Sequence, residues 1–349
     1  MTTEPSRPLV AAILGAGNMG ARLGKALSQI AGVSIGYVYS RQLARAQVLA
    51  QQLHAVAVDQ VEPIFADPRV DAVIVCLPTY TRTQILKAAV QSEKHIFCEK
   101  PLALNAAMAR EISLILDRYS RCVMIGQVLR FFWEYIQLRE KVLSGEIGTV
   151  GTIRLSRCVG YPGRDSWFTD PTKSGGIMLD LLVHDIDFLL WTFGDVAQVF
   201  AQSASGGAAD LLDYALLNIQ MQSGALAHIE GSWAHPVGSF RQTVEISGSL
   251  GLLEFDSQLA SDFRWTPTHK SGLSPSSRIA LPEVGARSDP YCAEISCFVD
   301  CIRNHKSPVV LWREALKACE VAFLAMESAK LGIPVLYKHE LPGRKRETS

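Results

Sequence analysis

Apolar residues in the first third of the chain recur with two alternating periods. LVAAILG (9–15) is an unbroken apolar run, the pattern of a parallel strand buried on both faces. NMGARLGKALSQI (18–30) then sets Met19, Leu23, Leu27 and Ile30 at helical spacing. The alternation continues, with VSIGYVYS (33–40) and VDAVIVCLP (70–78) as strands and RQLARAQVLAQQL (41–53) and TRTQILKAAVQSE (81–93) as helices. HIFCE (95–99) is a fourth strand, AAMAREISLILDRY (106–119) a helix and CVMIGQVLRF (122–131) a further strand. Strand–helix alternation at this spacing predicts right-handed crossovers and an open, doubly wound parallel sheet.

Beyond Phe131 the texture changes. GTIRLSRC (151–158), QVFAQSA (198–204), ALLNIQMQ (215–222), LAHIEGSWA (226–234), RQTVEISG (241–248) and GLLEFDS (251–257) read as strands. Tight turns such as Gln222-Ser223-Gly224 join them. One helix spans 175–193, and two more are predicted over 289–305 and 312–331. Leu217, Ile219 and Met221 alternate with Leu216, Asn218 and Gln220, giving one sheet face to a helix and the other to a subunit contact. The expected fold class is α/β, a Rossmann domain over 1–128 followed by an α+β domain with a mainly antiparallel open sheet over 129–349. The final segment could return to the first domain.

Composition narrows the function classes. The chain has 349 residues, 48% hydrophobic and 19% charged, with a formal net charge of zero. That suits a soluble globular protein and argues against a nucleic-acid or anionic-membrane surface. The basic run at Arg344–Arg346 reads as a solvated tail, and SGLSPSSR (271–278) as a surface loop. The opening MTTEPSRPLV lacks a signal-peptide pattern, and no window approaches the ~18 apolar residues of a membrane span. Eight cysteines are scattered singly, and no His or Cys pair completes a zinc set. They read as reduced thiols of a cytoplasmic protein without a metal.

Candidate chemistry begins at Gly15-Ala16-Gly17-Asn18-Met19-Gly20, a GxGxxG between a buried strand and an amphipathic helix. That context is the one a dinucleotide fingerprint requires: a turn, a close approach to pyrophosphate and a helix packed on its strand. The second strand ends Tyr39-Ser40-Arg41, without the carboxylate that binds a ribose 2′-hydroxyl. A serine hydroxyl and a guanidinium can bind a 2′-phosphate, which favours NADP over NAD. Pro78-Thr79 and Glu99-Lys100-Pro101 end the third and fourth strands, facing the crevice where ligands of such sheets bind. Asp180 and His184 stand at i, i+4 in an apolar helix, on one face. They could serve a ligand or simply satisfy each other in the core. Asp185 and Asp187 are expected to cap, pair or face solvent.

Taken together, GAGNMG, Glu99-Lys100-Pro101 and the GGxxxDxxxHDID stretch of 175–187 resemble the Gfo/Idh/MocA oxidoreductases. This is the family of glucose–fructose oxidoreductase and myo-inositol dehydrogenase. Ile246-Ser247-Gly248 with Gly251, and the close from Tyr291 through Ser328–Val335, extend the resemblance over nearly the whole chain. It implies Lys100, Asp180 and His184 as catalytic residues, with His184 the general base and Lys100 stabilising the reacting oxygen. It implies cofactor contacts from Gly15, Gly17, Asn18, Met19, Gly20, Ser40, Arg41, Pro78, Thr79, Glu99, Lys100 and Trp167. Arg130, Asp165 and Trp233 are implied at the substrate. The implied reaction is hydride transfer between NADP (or NAD) and a secondary alcohol or ketone of a sugar or cyclic polyol, by a homodimer or homotetramer. A family hydrolase or lyase with tightly held dinucleotide, or a dinucleotide sensor, are the alternatives. Two positions depart from the family pattern: Arg82 stands where a histidine often follows Pro78, and Phe168 where an arginine often follows the tryptophan.

Overall fold

The structure is a computed structural model that describes residues 7–163, 166–206, 212–259, 263–267 and 289–338. Asp165, the 271–278 loop and the basic run at 344–346 lie outside the described residues.

The first sheet has six parallel strands: β1 (Leu9–Leu14), β2 (Val33–Tyr39), β3 (Val56–Val58), β4 (Ala72–Val75), β5 (His95–Glu99) and β6 (Val123–Gly126). Their order is β3-β2-β1-β4-β5-β6. Helices α1 (Asn18–Ser28), α2 (Leu43–Leu53), α3 (Glu62–Ala66), α4 (Arg82–Gln91) and α5 (Ala106–Leu116) connect them. Ala11–Leu14 and Ala72–Val75 are wholly buried, as two-sided coverage by helices requires. The chain reverses its direction of winding between β1 and β4, and a crevice opens there at the carboxyl ends. Short β3 and α3 escape periodicity, since three and five residues are too few to define a period.

The second sheet has eight strands: β7 (Val150–Gly160), β8 (Val196–Gly206), β9 (Leu212–Met221), β10 (Leu226–His235), β11 (Phe240–Gly248), β12 (Gly251–Asp256), β13 (Phe263–Pro267) and β14 (Val335–Leu336). The order β13-β12-β11-β7-β10-β9-β8-β14 is antiparallel except where β10 pairs with β7 in parallel. Ala215, Leu217, Ile219 and Met221 point to the buried face of β9, whereas Asn218 and Gln220 are exposed on the other. Among the described residues six helices accompany this sheet: α6 (Trp133–Leu143), α7 (Pro171–Ser174), α8 (Gly176–Asp180), α9 (Val183–Phe193), α10 (Pro290–Asn304) and α11 (Trp312–Leu331). Helix α11 packs on β8, α8 on β9 and β10, and α10 returns to α1 of the first sheet.

One predicted helix is in fact two. The run 175–193 divides at Leu181-Leu182, where both backbone N–H groups donate to the Ile177 carbonyl at 3.1 Å. Leu182 turns inward onto Gly231 of β10, where a Cβ would come within 2.8 Å of the leucine methyl. Glycine there is what lets α8 meet the sheet. All eight cysteines are free. No described helix is long and apolar enough to cross a membrane.

Candidate active site

At the carboxyl ends of the parallel strands lies a cleft of about 930 Å³. One wall is the glycine loop. Gly15 has φ of +117°, and a Cβ there would meet the Cys76 carbonyl oxygen at 2.6 Å. Gly20 is buried beneath the loop, where a Cβ would fall 1.8 Å from the Gly15 carbonyl oxygen. Gly17 opens on free space among the described residues. Turn, closure and access are thus divided among three glycines. No side chain caps α1 at Gly17, so the first-turn N–H groups beside Asn18 and Met19 remain available to an anion. This cradle fits the pyrophosphate of a dinucleotide, and Gly15, Gly17, Asn18 and Met19 line the cleft. Gly20 acts by packing.

Ser40 and Arg41 line the same cleft, together with Gln42 and Arg45. Arg45 was not read from the sequence. It stands in the first turn of α2, just after the strand end that carries Ser40 and Arg41.

Lys100 follows β5 and Asp180 ends α8, eighty residues apart in sequence. The Lys100 ammonium donates to the Asp180 carbonyl oxygen at 2.6 Å and lies 3.4 Å from its carboxylate. His184, in the first turn of α9, lines the cleft with both. Its Nδ1 is buried without a hydrogen-bond partner. Burial, with the positive charges of Lys100 and Arg157, pushes the imidazole well below its ordinary value of 6.5. His184 is therefore neutral at neutral pH, the form that accepts a proton. Pro78, Glu99 and Trp167 also line the cleft. Thr79 does not: it is fully buried behind Pro78, with its hydroxyl unpartnered.

Arg82 is not a free charge. Its buried guanidinium donates to the Leu77 carbonyl at 3.2 Å, to the Lys100 carbonyl at 3.0 Å and to the Pro101 carbonyl. Arg82 thus clamps the backbone that carries Lys100. Arg82→Met leaves those carbonyls unsatisfied, at ~1–3 kcal/mol for each buried group. It should lower both the melting temperature and kcat, measured by thermal unfolding and steady-state rates.

Arg130 corrects the sequence expectation. Instead of facing substrate it is buried in an ion pair, its Nε and Nη2 donating to Asp187 at 2.9 and 2.7 Å and its Nη1 donating to Glu314 at 2.8 Å. A buried carboxylate, Asp187, and a half-exposed one, Glu314, satisfy its planar fork more completely than a pocket rim would. Arg157 forms a parallel pair with Asp185, at 2.6 and 3.0 Å. Trp233 is also elsewhere: it is 3% exposed and lines a neighbouring cavity of about 350 Å³ with Phe168, Ile177 and Met178. Phe168 stacks on Trp167, ring centroids 4.1 Å apart, and separates that cavity from the cleft. Tyr291, missed by sequence reasoning, lines the cleft under the Arg22 guanidinium at 3.8 Å. Among the described residues, no group of three or more His, Cys, Asp or Glu is arranged to hold a metal.

Comparison with known proteins agrees with this geometry. Residues 9–127 match the family model described as an oxidoreductase family with an NAD-binding Rossmann fold, and residues 135–254 match the GFO/IDH/MocA C-terminal domain. The chain is 30% identical over 278 residues to a myo-inositol 2-dehydrogenase of Thermotoga maritima, covering 76% of this chain and 79% of that one. It is 28% identical to a scyllo-inositol 2-dehydrogenase (NAD+) of Bacillus subtilis, over 93% of this chain and 95% of the other. The fold superposes on that of GenD2 from gentamicin A biosynthesis, solved with NAD, at a TM-score of 0.83 and 23% identity, covering 96% and 98% of the two chains. A myo-inositol dehydrogenase of Corynebacterium glutamicum gives 0.79 at 24% identity, over 95% and 99%. With both domain models matched in order and a glycine loop, lysine and histidine gathered in one cleft, this chain belongs to the GFO/IDH/MocA oxidoreductase family.

Proposed function

We propose that this chain is an NADP-preferring dehydrogenase or reductase that interconverts a secondary alcohol and a ketone on a sugar or cyclic polyol such as an inositol. The observation that supports it most is the convergence of Lys100, Asp180 and His184 on the cleft that holds the glycine loop. The dinucleotide, when bound, supplies the hydride acceptor or donor. The neutral His184 takes the hydroxyl proton of the alcohol and returns it in reduction. The Lys100 ammonium hydrogen-bonds the reacting oxygen and stabilises charge developing on it. Asp180 holds the ammonium through its carbonyl at 2.6 Å and more loosely through Oδ1 at 3.4 Å, and its other carboxylate oxygen accepts from a neighbouring substrate hydroxyl.

Ser40, Arg41 and Arg45 support the preference for the 2′-phosphate. Two guanidiniums and a hydroxyl at one end of the cleft form a phosphate site, and the described residues place no carboxylate among the lining groups there. Substituting Arg41 and Arg45 together by alanine should raise KM for NADP ~10-fold or more and change KM for NAD little. A wild-type preference for NAD would contradict the assignment.

The substrate class is tested by offering inositols, aldoses, sugar acids and nucleotide sugars with each dinucleotide and following the absorbance of reduced nicotinamide. Turnover with polyols or sugars is the expected result. Conversion of a sugar without net change in that absorbance would instead mark a hydrolase or lyase.

A further inference from the structure

The cavity beside the cleft has no part in the reaction described above. It holds about 350 Å³, more than the ~150 Å³ that suffices for a benzene ring. Its floor is apolar: Ile177 and Met178 of α8 and Trp233 of β10 are buried, and Met326 and Ala329 of α11 line it with them. Its hydroxyls and charges are engaged or exposed. The Ser205 hydroxyl donates to Asp213, the Tyr214 hydroxyl donates to Glu230, and Lys330 is exposed. The floor therefore offers a ligand apolar burial and dispersion contacts rather than hydrogen bonds.

Two features join this cavity to the reacting centre. The first is α8. Ile177 and Met178 line the cavity, and Asp180, two residues beyond Met178, lines the cleft, a rise of about 3 Å along the helix. The second is Phe168, which lines both spaces and stacks on Trp167 of the cleft. Aromatic surface therefore continues from the cleft into the cavity.

We propose that the cavity is a subsite for an aromatic substituent of the substrate. The ring bearing the reacting alcohol stands at Lys100 and His184, and an aryl group attached to it passes the edge of Phe168 and packs on Met178 and Trp233. Flat apolar groups suit such a wall, since thioether–aromatic and aromatic–aromatic contacts add to the area they bury. Trp233 then meets not the reacting ring but the group it carries. The proposal rests on the reading of the cleft as a sugar or polyol site, and it names aryl glycosides as the substrate class.

The test pairs phenyl and methyl glycosides of the same sugars, each with NADP and with NAD. Wild type should favour the phenyl member of a pair by ~10-fold or more in kcat/KM. Ala329→Phe fills the cavity from α11, away from the residues that line the cleft. It should abolish the phenyl preference and leave kcat/KM for the methyl glycoside within about two-fold. Ala204→Phe, at an exposed position of β8 that lines the same cavity, provides the block should the first variant not fold. Binding is read separately, by saturation-transfer NMR of phenol added to the protein with each dinucleotide; phenol should bind wild type and not the filled variant. Equal kcat/KM within the pairs, a phenyl preference untouched by the substitutions, or no binding of phenol would overturn the proposal. If no glycoside, sugar or polyol is turned over, the assignment of the reaction fails, whereas phenol binding still decides the cavity.

Discussion

Lys100→Ala should lower kcat at least ~10²-fold while leaving dinucleotide affinity within a few-fold. The expectation follows from where the ammonium sits. It lies at the end of β5, 17% exposed, and already donates to the Asp180 carbonyl at 2.6 Å. An ammonium has three protons and Asp180 uses one or two, so a donor remains for the reacting oxygen. Charge on that oxygen grows toward the transition state, so the interaction strengthens during the reaction and its loss appears in kcat. The glycine loop and the Ser40–Arg45 end of the cleft are untouched by the change, which is why affinity for the dinucleotide survives. The ratio of single-site kcat values, with dinucleotide dissociation constants from fluorescence titration, checks both halves.

The largest effect on stability is expected at Asp187. Asp187→Ala strands Arg130, whose side chain is 2% exposed, with only Glu314 and the Val309 carbonyl to satisfy it. Breaking one partner of a buried ion pair costs about 3–5 kcal/mol, because an uncompensated charge stays behind. The melting temperature should therefore fall by on the order of 10 °C. The damage extends to the site. Asp185 and Asp187 fix α9 on two sides, through Arg157 of β7 and Arg130 of the turn Val128–Phe131. His184 is the residue next to the first of those anchors, so a loosened α9 also lowers kcat. Replacing Arg130 and Asp187 together by Met and Leu should restore much of the melting temperature, since an apolar pair of similar volume removes the stranded charge.

Local pattern made the dinucleotide cradle legible. Gly15, Gly17 and Gly20 act through backbone geometry within six residues, and a six-residue string records it. Local pattern gave most strands of both sheets for the same reason, but not the short β3, β13 and β14. The parallel pairing of β7 with β10 was not visible, because register between strands seventy residues apart leaves no trace in either one. Arg130 shows the same limit from the other side. Its partners Asp187 and Glu314 lie 57 and 184 residues away, and nothing in Gln127–Phe131 distinguishes a buried pair from a pocket rim. Asp180 and His184 were found as an i, i+4 pair, and both line the cleft, although the helix that suggested the pairing breaks between them. The break depends on Leu182 meeting Gly231 on another strand. In sequence Arg82 is only a departure from the family pattern; the fold shows the three carbonyls it satisfies.

The pH dependence of kcat/KM for alcohol oxidation, compared between wild type and His184→Ala, tests the central claim most directly. A base whose affinity for protons is depressed by burial and two neighbouring cations stays neutral to lower pH than a free histidine. Wild-type kcat/KM should therefore hold steady as pH falls through the ordinary value of 6.5 and decline only below it, and that decline should vanish in the alanine variant along with most of the rate. An acid limb at or above 6.5, or one that persists unchanged in His184→Ala, would contradict the assignment of His184 as the proton acceptor beside Lys100.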